Sequence, residues 1–403
     1  MAAARRIALV SSSYRPHPGG VEEHVRHVAR ELQRAGHEVV VWTVDRGEHL
    51  GTRSVDGIEV RYLPTPLPAR TPRALVSYAA RSPRAWAAWF RAYREFRPDV
   101  LHVQCFGPNG LYALALHHLT RTPLVVSSHG ETFGDDHDVF AESDLLRAGL
   151  RHALTRAAAV TGCSSYVLDD LRDRFGLADG LVVPNGIELD EVVRPVRPDW
   201  WPRGAAVGTP VGTGSTARDG APHVVLGVGR VEHNKGFDLL LRAAADLPAT
   251  THVVVGGEGS QRQALQTLAA DLGLSERVHF PGRLSRAEVA GAMAQADVLA
   301  VPSRREAFGI VALEAWRGGT PLVMTSRGGA RDFVHDGVDG LLVDPTDVPA
   351  LTRAIREVLS DPGRGQGLSE AGRRSVTAYT WDRVARDYEG IYDTVLGASV
   401  DRA

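Results

Sequence analysis

Lys235 is the single lysine among the 46 basic residues of this 403-residue chain, in the run Gly229-Arg230-Val231-Glu232-His233-Asn234-Lys235-Gly236-Phe237. An ammonium is a compact charge on a flexible stem, and beside the free amides of a helix start it suits a phosphate. The second constellation is Glu306-Ala307-Phe308-Gly309-Ile310-Val311-Ala312-Leu313-Glu314. A helix beginning near Phe308 or Gly309 turns its unpaired N–H groups outward, with Glu306 in the loop before it and Glu314 one to two turns inside. Glu314 interrupts an otherwise apolar stretch, Ile310 to Trp316, where an acid needs a polar partner. Two carboxylates bracketing an anion-binding helix start suit a ligand with a diphosphate in the middle and hydroxyl-bearing rings at both ends, because ionised carboxylates accept hydrogen bonds from hydroxyls.

The elements that must carry these residues follow from hydrophobic pattern. Val224 to Val228 reads as a short buried strand and Phe237 to Ala245 as a helix, so Arg230 and Lys235 fall in a strand-to-helix loop. Such loops lie at the carboxyl ends of strands, where ligands bind in doubly wound sheets. Further strands are expected at Thr251 to Val255, Val278 to Phe280, Val298 to Val301 and Leu322 to Met324. The first half opens with a strand from Ile7 to Ser12, a loop from Ser13 to Gly20, and a helix from Val21 to Ala35 stopped by Gly36. Apolar runs at Val39 to Trp42, Val100 to Val103, Leu124 to Ser127 and Leu181 to Val183 continue it. Strands alternating with helices imply a mainly parallel sheet covered on both faces.

Residues 194–222 break the alternation with Pro, Gly, Ser and Thr and read as a flexible linker or insertion. The expected organisation is therefore an N-terminal Rossmann-like domain over 1–190, a linker over 191–222, and a second Rossmann-like domain over 223–378. A final stretch over 379–403, with a helix from Trp381 to Leu396, crosses back to brace the first domain. Two similar halves joined by a linker imply a cleft between them.

Composition narrows the classes. With 43% hydrophobic and 23% charged residues the chain is an ordinary globular one, and its net charge of −2 gives no nucleic-acid footprint. No apolar run approaches the roughly 20 residues that span a bilayer and no signal peptide is recognisable, so a cytoplasmic protein is expected. Cys105 and Cys163 each end an expected strand and read as core residues, not as a metal or disulfide pair. The bias towards Arg, Ala and Gly suggests a GC-rich genome.

The second half resembles the donor-binding domain of a family 4 glycosyltransferase of the GT-B fold. The residues that carry the likeness are Gly229-Arg230 with Lys235-Gly236, Gly256-Gly257-Glu258-Gly259, Phe280-Pro281-Gly282, Glu306 with Glu314, Gly318-Gly319-Thr320-Pro321, Gly328-Gly329-Ala330-Arg331-Asp332, and Gly337 to Val343. Asp332 stands where many relatives carry Glu. In the first half Tyr14 to Glu22, Arg97 to His102, Ser128-His129-Gly130 and Val183 to Ile187 match in order, so the likeness covers most of the chain apart from the linker and 65–95.

That resemblance implies retaining transfer of a sugar from a nucleotide diphosphate sugar, UDP favoured and GDP next, to a hydroxyl acceptor, a specialised metabolite or other small polar molecule, with no cofactor and no essential metal. Carried over residue by residue, Arg230 and Lys235 would neutralise the diphosphate, Glu306 would hold hydroxyls of the transferred sugar, and Glu314 the ribose. Amides at Ala307, Phe308, Gly309, Ile310 and Val311 would complete the phosphate cradle. Gly282, Arg283 and Leu284 would flank the base, and Gly19 and Gly20 would let the first domain's loop approach the donor. His129 would polarise or position a donor hydroxyl. Acceptor contacts are expected from Tyr14, Phe106, Asn109, Glu131 and Thr132. No pair of carboxylates identifies a nucleophile and an acid, so double displacement has no support. The resemblance suggests front-face transfer in which the leaving diphosphate takes the acceptor's proton.

Other readings are weaker. Asp135-Asp136-His137-Asp138 resembles a metal-holding motif of a different transferase fold, but follows a His-Gly loop and reads as an acceptor-side or solvated loop. The stretch Arg81 to Phe96 has a membrane-surface composition, yet reads better as a domain helix with arginines on its wet face. A dinucleotide-dependent oxidoreductase lacks its Gly-x-Gly-x-x-Gly after the first strand. A non-catalytic sugar binder is disfavoured by the complete set Arg230, Lys235, Glu306, Glu314 and His129. An epimerase or phosphorylase on the same fold differs in needing no acceptor or a different one.

Overall fold

The computed structural model describes residues 4–17, 19–68, 71–134, 139–190, 199–202 and 222–400. Asp135 to Asp138, and the expected linker apart from 199–202 and 222, lie outside them. The chain divides into two units, Met1–Asn185 with Trp381–Ala403, and Gly186–Thr380.

The first unit holds β1 (Arg6–Ser11), β2 (Glu38–Val44), β3 (Thr52–Val55), β4 (Ile58–Leu63), β5 (Val100–Gln104), β6 (Leu124–Ser128), β7 (Ala159–Gly162) and β8 (Leu181–Val182). They form one sheet in the order β3-β4-β2-β1-β5-β6-β7-β8. Every pairing is parallel except β3 with β4. Ile7 to Val10 and Val100 to Val103 are almost wholly enclosed, as strands covered on both faces must be. The β3–β4 hairpin turns on Asp56-Gly57, both at positive φ (51° and 81°), the two-residue geometry whose twist matches that of paired strands.

Two helices show why this unit is discontinuous in sequence. Val25, Val28 and Leu32 of the helix Gly20–Arg34 share one apolar cluster with Trp381, Val384, Tyr388, Ile391, Tyr392 and Val395 of the helix Trp381–Val400. Those six recur at three- and four-residue spacing, the period of one buried helix face. The expected brace is thus part of the first unit itself. The helix Pro72–Phe96 buries Ala85, Trp89 and Ala92, packs Trp86 and Phe90 against the core, and turns Arg81, Arg84, Arg91 and Arg94 outward. No helix among the described residues is long and apolar enough to cross a membrane.

The second unit holds β9 (His223–Val228), β10 (Thr251–Gly256), β11 (Val278–Gly282), β12 (Val298–Val301), β13 (Leu322–Thr325) and β14 (Leu341–Val343). Its sheet is parallel throughout, in the order β11-β10-β9-β12-β13-β14. The chain runs outward from β9 to β11, then returns to β9's other side at β12. That reversal opens a crevice at the carboxyl ends of β9 and β12, where doubly wound sheets bind their ligands. β1 and β5 form the corresponding reversal in the first sheet. Two Rossmann-like units with the last helix returned to the first are the plan of the GT-B fold.

Candidate active site

Lys235 follows β9 and Glu306 follows β12, so the two strands at the reversal deliver them side by side. Lys235 Nζ lies 2.8 Å from Glu306 Oε2, and Ser303 Oγ donates to the same oxygen at 2.8 Å. Among the described residues Glu306 Oε1 has no hydrogen-bond partner. The carboxylate is buried and the lysine only partly exposed. Arg230 stands exposed on the same β9 loop.

The two loops are stitched together by residues whose importance the sequence reading missed. Arg304 forms a two-pronged pair with Asp238 at 2.7 Å on each arm and donates to the His233 carbonyl at 2.8 Å. Its own amide donates to the Asn234 carbonyl, and Asn234 Nδ2 returns a bond to the Arg305 carbonyl. Burial works to raise the Asp238 carboxyl, but Arg304 outweighs it and leaves the pKa below the ordinary value. An acid in the first turn of the helix Phe237–Ala245 was the available signal; its partner 66 residues away was not.

Gly236 permits the close approach. Its φ is +67°, and a Cβ there would stand 2.0 Å from the Pro302 carbonyl oxygen. Gly236→Ala is therefore expected to cost about 1–3 kcal/mol in left-handed strain. By pushing the β9 loop off the β12 loop it should also separate Lys235 from Glu306. Thermal unfolding and diphosphate titration of the variant check this: a wild-type melting temperature with wild-type affinity would refute it.

The β12 helix starts at Ile310 and runs to Gly318, with Gly309 at φ +94° as its N-cap. The amides of Ile310 and Val311 open the helix and have no acceptor within it. Phe308 is buried, stacked on Phe333 at 4.4 Å, and Trp316 donates from Nε1 to the Asp339 carbonyl at 2.7 Å. This aromatic floor fixes the helix start. Ala307 and Glu314 are half-buried, Gly282 ends β11 at φ +87°, Arg283 is exposed, and Leu284 packs over Gly256.

In the first unit Gly19 caps the helix Gly20–Arg34 and both glycines are exposed. His129 follows β6. Its Nε2 lies 2.8 Å from Gln104 Oε1, and its ring meets that of His24 edge-on at 4.5 Å. Burial, then the neighbouring His24 and His102, hold His129 well below the ordinary histidine value, so it is neutral.

The residues expected to touch the acceptor are mostly enclosed by protein. Tyr14, Phe106, Asn109 and Thr132 are buried. Asn109 Nδ2 donates to the Val10 and Cys105 carbonyls and Thr132 Oγ1 to Asp170, so these side chains brace loops. Both oxygens of Glu131 are engaged: Oε1 by the Phe106 amide at 2.9 Å, Oε2 by Ser128 Oγ at 2.9 Å and the His129 amide at 2.8 Å. Glu131 thus ties the β5 and β6 loops together. Glu131 opens the short helix Glu131–Gly134 directly after the Ser-His-Gly turn. A cavity of about 520 Å³ beside β8, lined by Leu154, Leu181, Ile391 and Val395 among others, includes none of Lys235, Glu306, Glu314 and His129.

Comparison with known proteins settles the family. The description "Glycosyltransferase Family 4" matches residues 18–191 and "Glycosyl transferases group 1" matches 214–375. A glycogen synthase of Mycobacterium tuberculosis is 30% identical over 96% of this chain and 94% of its own length. The chain belongs to the family 4 glycosyltransferases. A GDP-mannose-dependent alpha-(1-6)-phosphatidylinositol monomannoside mannosyltransferase of Mycolicibacterium smegmatis is also 30% identical to this glycosyltransferase, over 91% of the chain and 92% of the relative. Among solved structures, the sucrose-phosphate synthase of Thermosynechococcus elongatus superposes with a TM-score of 0.78 at 23% identity, covering 97% of this chain and 99% of that one. Anabaena HepE in complex with UDP gives 0.72 at 21% identity, covering 96% and 98%. Both share the fold. Among the described residues no three His, Cys, Asp or Glu side chains gather as a metal site.

Proposed function

We propose that this glycosyltransferase moves a sugar, with retention, from a UDP-sugar, or failing that a GDP-sugar, to a hydroxyl of a small polar acceptor. The observation that carries the reading is the Lys235–Glu306 contact at the reversal of the second sheet, beside the opening of the helix Ile310–Gly318. A cation and unpaired amides meet a diphosphate there, and a buried carboxylate with a spare oxygen meets sugar hydroxyls. The order of donors follows relatives of similar fold or sequence whose names carry UDP or GDP-mannose.

In the transfer, the bond from the anomeric carbon to the diphosphate oxygen breaks and the bond to the acceptor oxygen forms on the same face. The acceptor's proton passes to the departing diphosphate. Arg230, Lys235 and the amides of Gly309, Ile310 and Val311 stabilise the charge that develops on the leaving group. Glu306 Oε1 orients the transferred sugar, Glu314 the ribose, and neutral His129 a donor hydroxyl. Gly282, Arg283 and Leu284 border the base.

Calorimetric titration with UDP, GDP, ADP and dTDP, beside Lys235→Ala and Glu314→Ala, tests the donor half of the reading. One diphosphate should bind tightly and both variants should weaken it by roughly tenfold or more, one charge-assisted bond each. Equal binding by wild type and both variants would move the donor site elsewhere.

A further inference from the structure

The β5 strand ends in a residue that the proposed mechanism has not used. Gln104 is fully buried, and its amide lies between two imidazoles. Its Nε2 is 3.1 Å from His102 Nε2, and its Oε1 is 2.8 Å from His129 Nε2. His102 is pinned in turn: Nδ1 to Tyr392 Oη at 2.6 Å and Nε2 to Ser127 Oγ at 2.6 Å, with Ser127 bonded on to Thr161. Among the described residues His129 Nδ1 has no hydrogen-bond partner.

We propose that Gln104 is a positioning residue for His129: its amide oxygen takes the Nε2–H, which fixes the ring and leaves Nδ1 as a lone-pair acceptor for a substrate hydroxyl. A carbonyl oxygen only accepts, so a neutral imidazole facing it must carry its proton on Nε2. In this orientation the amide's NH2 group faces His102 Nε2 at 3.1 Å; the reversed amide would put the His129 proton on Nδ1 instead, so the tautomer of His129 reports which way the amide lies. Glu131 holds the backbone of the same histidine through the His129 amide, so ring and main chain are both held. The Nδ1 lone pair orients a hydroxyl by accepting from it and takes no proton away. This rests on the reading of His129 as a group that touches substrate.

Nitrogen-15 spectra of histidine-labelled wild-type protein, with His129 assigned from a His129→Asn variant, test the tautomer without any substrate. An Nε2–H signal is expected; an Nδ1–H signal overturns the proposal. Gln104→Met removes the acceptor at nearly constant volume and should mix the His129 tautomers. It should also lower kcat by about ten- to a hundredfold, the range of one positioned proton-handling group, while KM for the donor stays within about threefold. Unchanged kcat would overturn it. Gln104→Glu keeps an acceptor beside Nε2 but adds a negative charge that favours the imidazolium, so the acidic limb of the kcat profile should move upward by more than about one pH unit. A limb that stays in place would mean that residue 104 does not act through His129. If no nucleotide sugar supports transfer by the wild type, the function reading fails while the tautomer measurement still decides the contact.

Discussion

Lys235→Met should lower both turnover and stability, and adding Glu306→Gln should restore the stability alone. The first loss follows from the leaving group: one charge-assisted bond felt only in the transition state amounts to about 1.5–3 kcal/mol, or ten- to a hundredfold in kcat. The second follows from the ion pair. Among the described residues Lys235 is the cation paired with the Glu306 carboxylate, whose side chain is 9% exposed, and removing it leaves that charge in a poor solvent. Breaking a fully buried pair costs about 3–5 kcal/mol; with the lysine end partly wet and Ser303 still donating, about 1–3 is expected here. In the double variant a neutral amide keeps the Ser303 bond and no charge is stranded, so stability should return to within about 1 kcal/mol of wild type. Turnover should not return, since on the proposed reading neither the cation for the diphosphate nor the carboxylate for the sugar is present. Chemical denaturation beside steady-state kinetics reads both. Recovery of activity with stability would make the pair a structural device and remove Lys235 from the chemistry.

Acidification should unfold the first unit well before the aspartate ion pairs titrate. His24, His102 and His129 all belong to it and are all lowered by burial first: His24 to about 4, its Asn185 bond opposing and His27 adding to the fall, and His102 to about 3, with His24 adding. For His129 burial, His24 and His102 act in the same direction. The sign is fixed by proton counting. Below the unfolded value near 6.5 the unfolded chain binds protons that the folded unit refuses, so stability is lost as pH falls from about 6.5 towards 4. Each histidine contributes up to about 1.4 kcal/mol per pH unit in that window, so three contribute about 4. Across one to two pH units that rivals the 5–15 kcal/mol typical of a whole domain. Glu131, raised by burial against its hydrogen bonds from its own amide, Phe106, His129 and Ser128, opposes this above the ordinary glutamate value. Calorimetry between pH 7 and 5 is the check. A flat melting temperature across that range would mean that the cluster admits water and charges in place.

The sequence exposed the second unit more fully than the first, for physical reasons. Lys235, Gly236 and Gly309 are legible because a lone ammonium and glycines near helix starts have few other uses. The helix Phe237–Ala245 and the strand Val298–Val301 have the bounds read from their apolar pattern. The hairpin β3–β4 went unread although Asp56-Gly57 announces it, because Thr52 to Val55 is a nearly exposed edge with no hydrophobic alternation. The residues after β5 and β6 were expected to meet the acceptor because they stand in the first domain's variable loops. Nothing in Glu131, Asn109 or Thr132 says whether a side chain points out to a ligand or in to a neighbouring loop, since that depends on partners distant in sequence. The same blindness hid Arg304 with Asp238, and Gln104 between its two histidines.

The return of residues 381–400 to the first unit has a consequence for how the protein is made. Tyr388 and Tyr392 hold His24 and His102, and the two tyrosines leave the ribosome only after the entire second unit has been synthesised. The segment translated first must therefore wait, incomplete, while Gly186–Thr380 emerges and folds ahead of it. A premature stop before Trp381 would leave the later-made half whole and damage the earlier one.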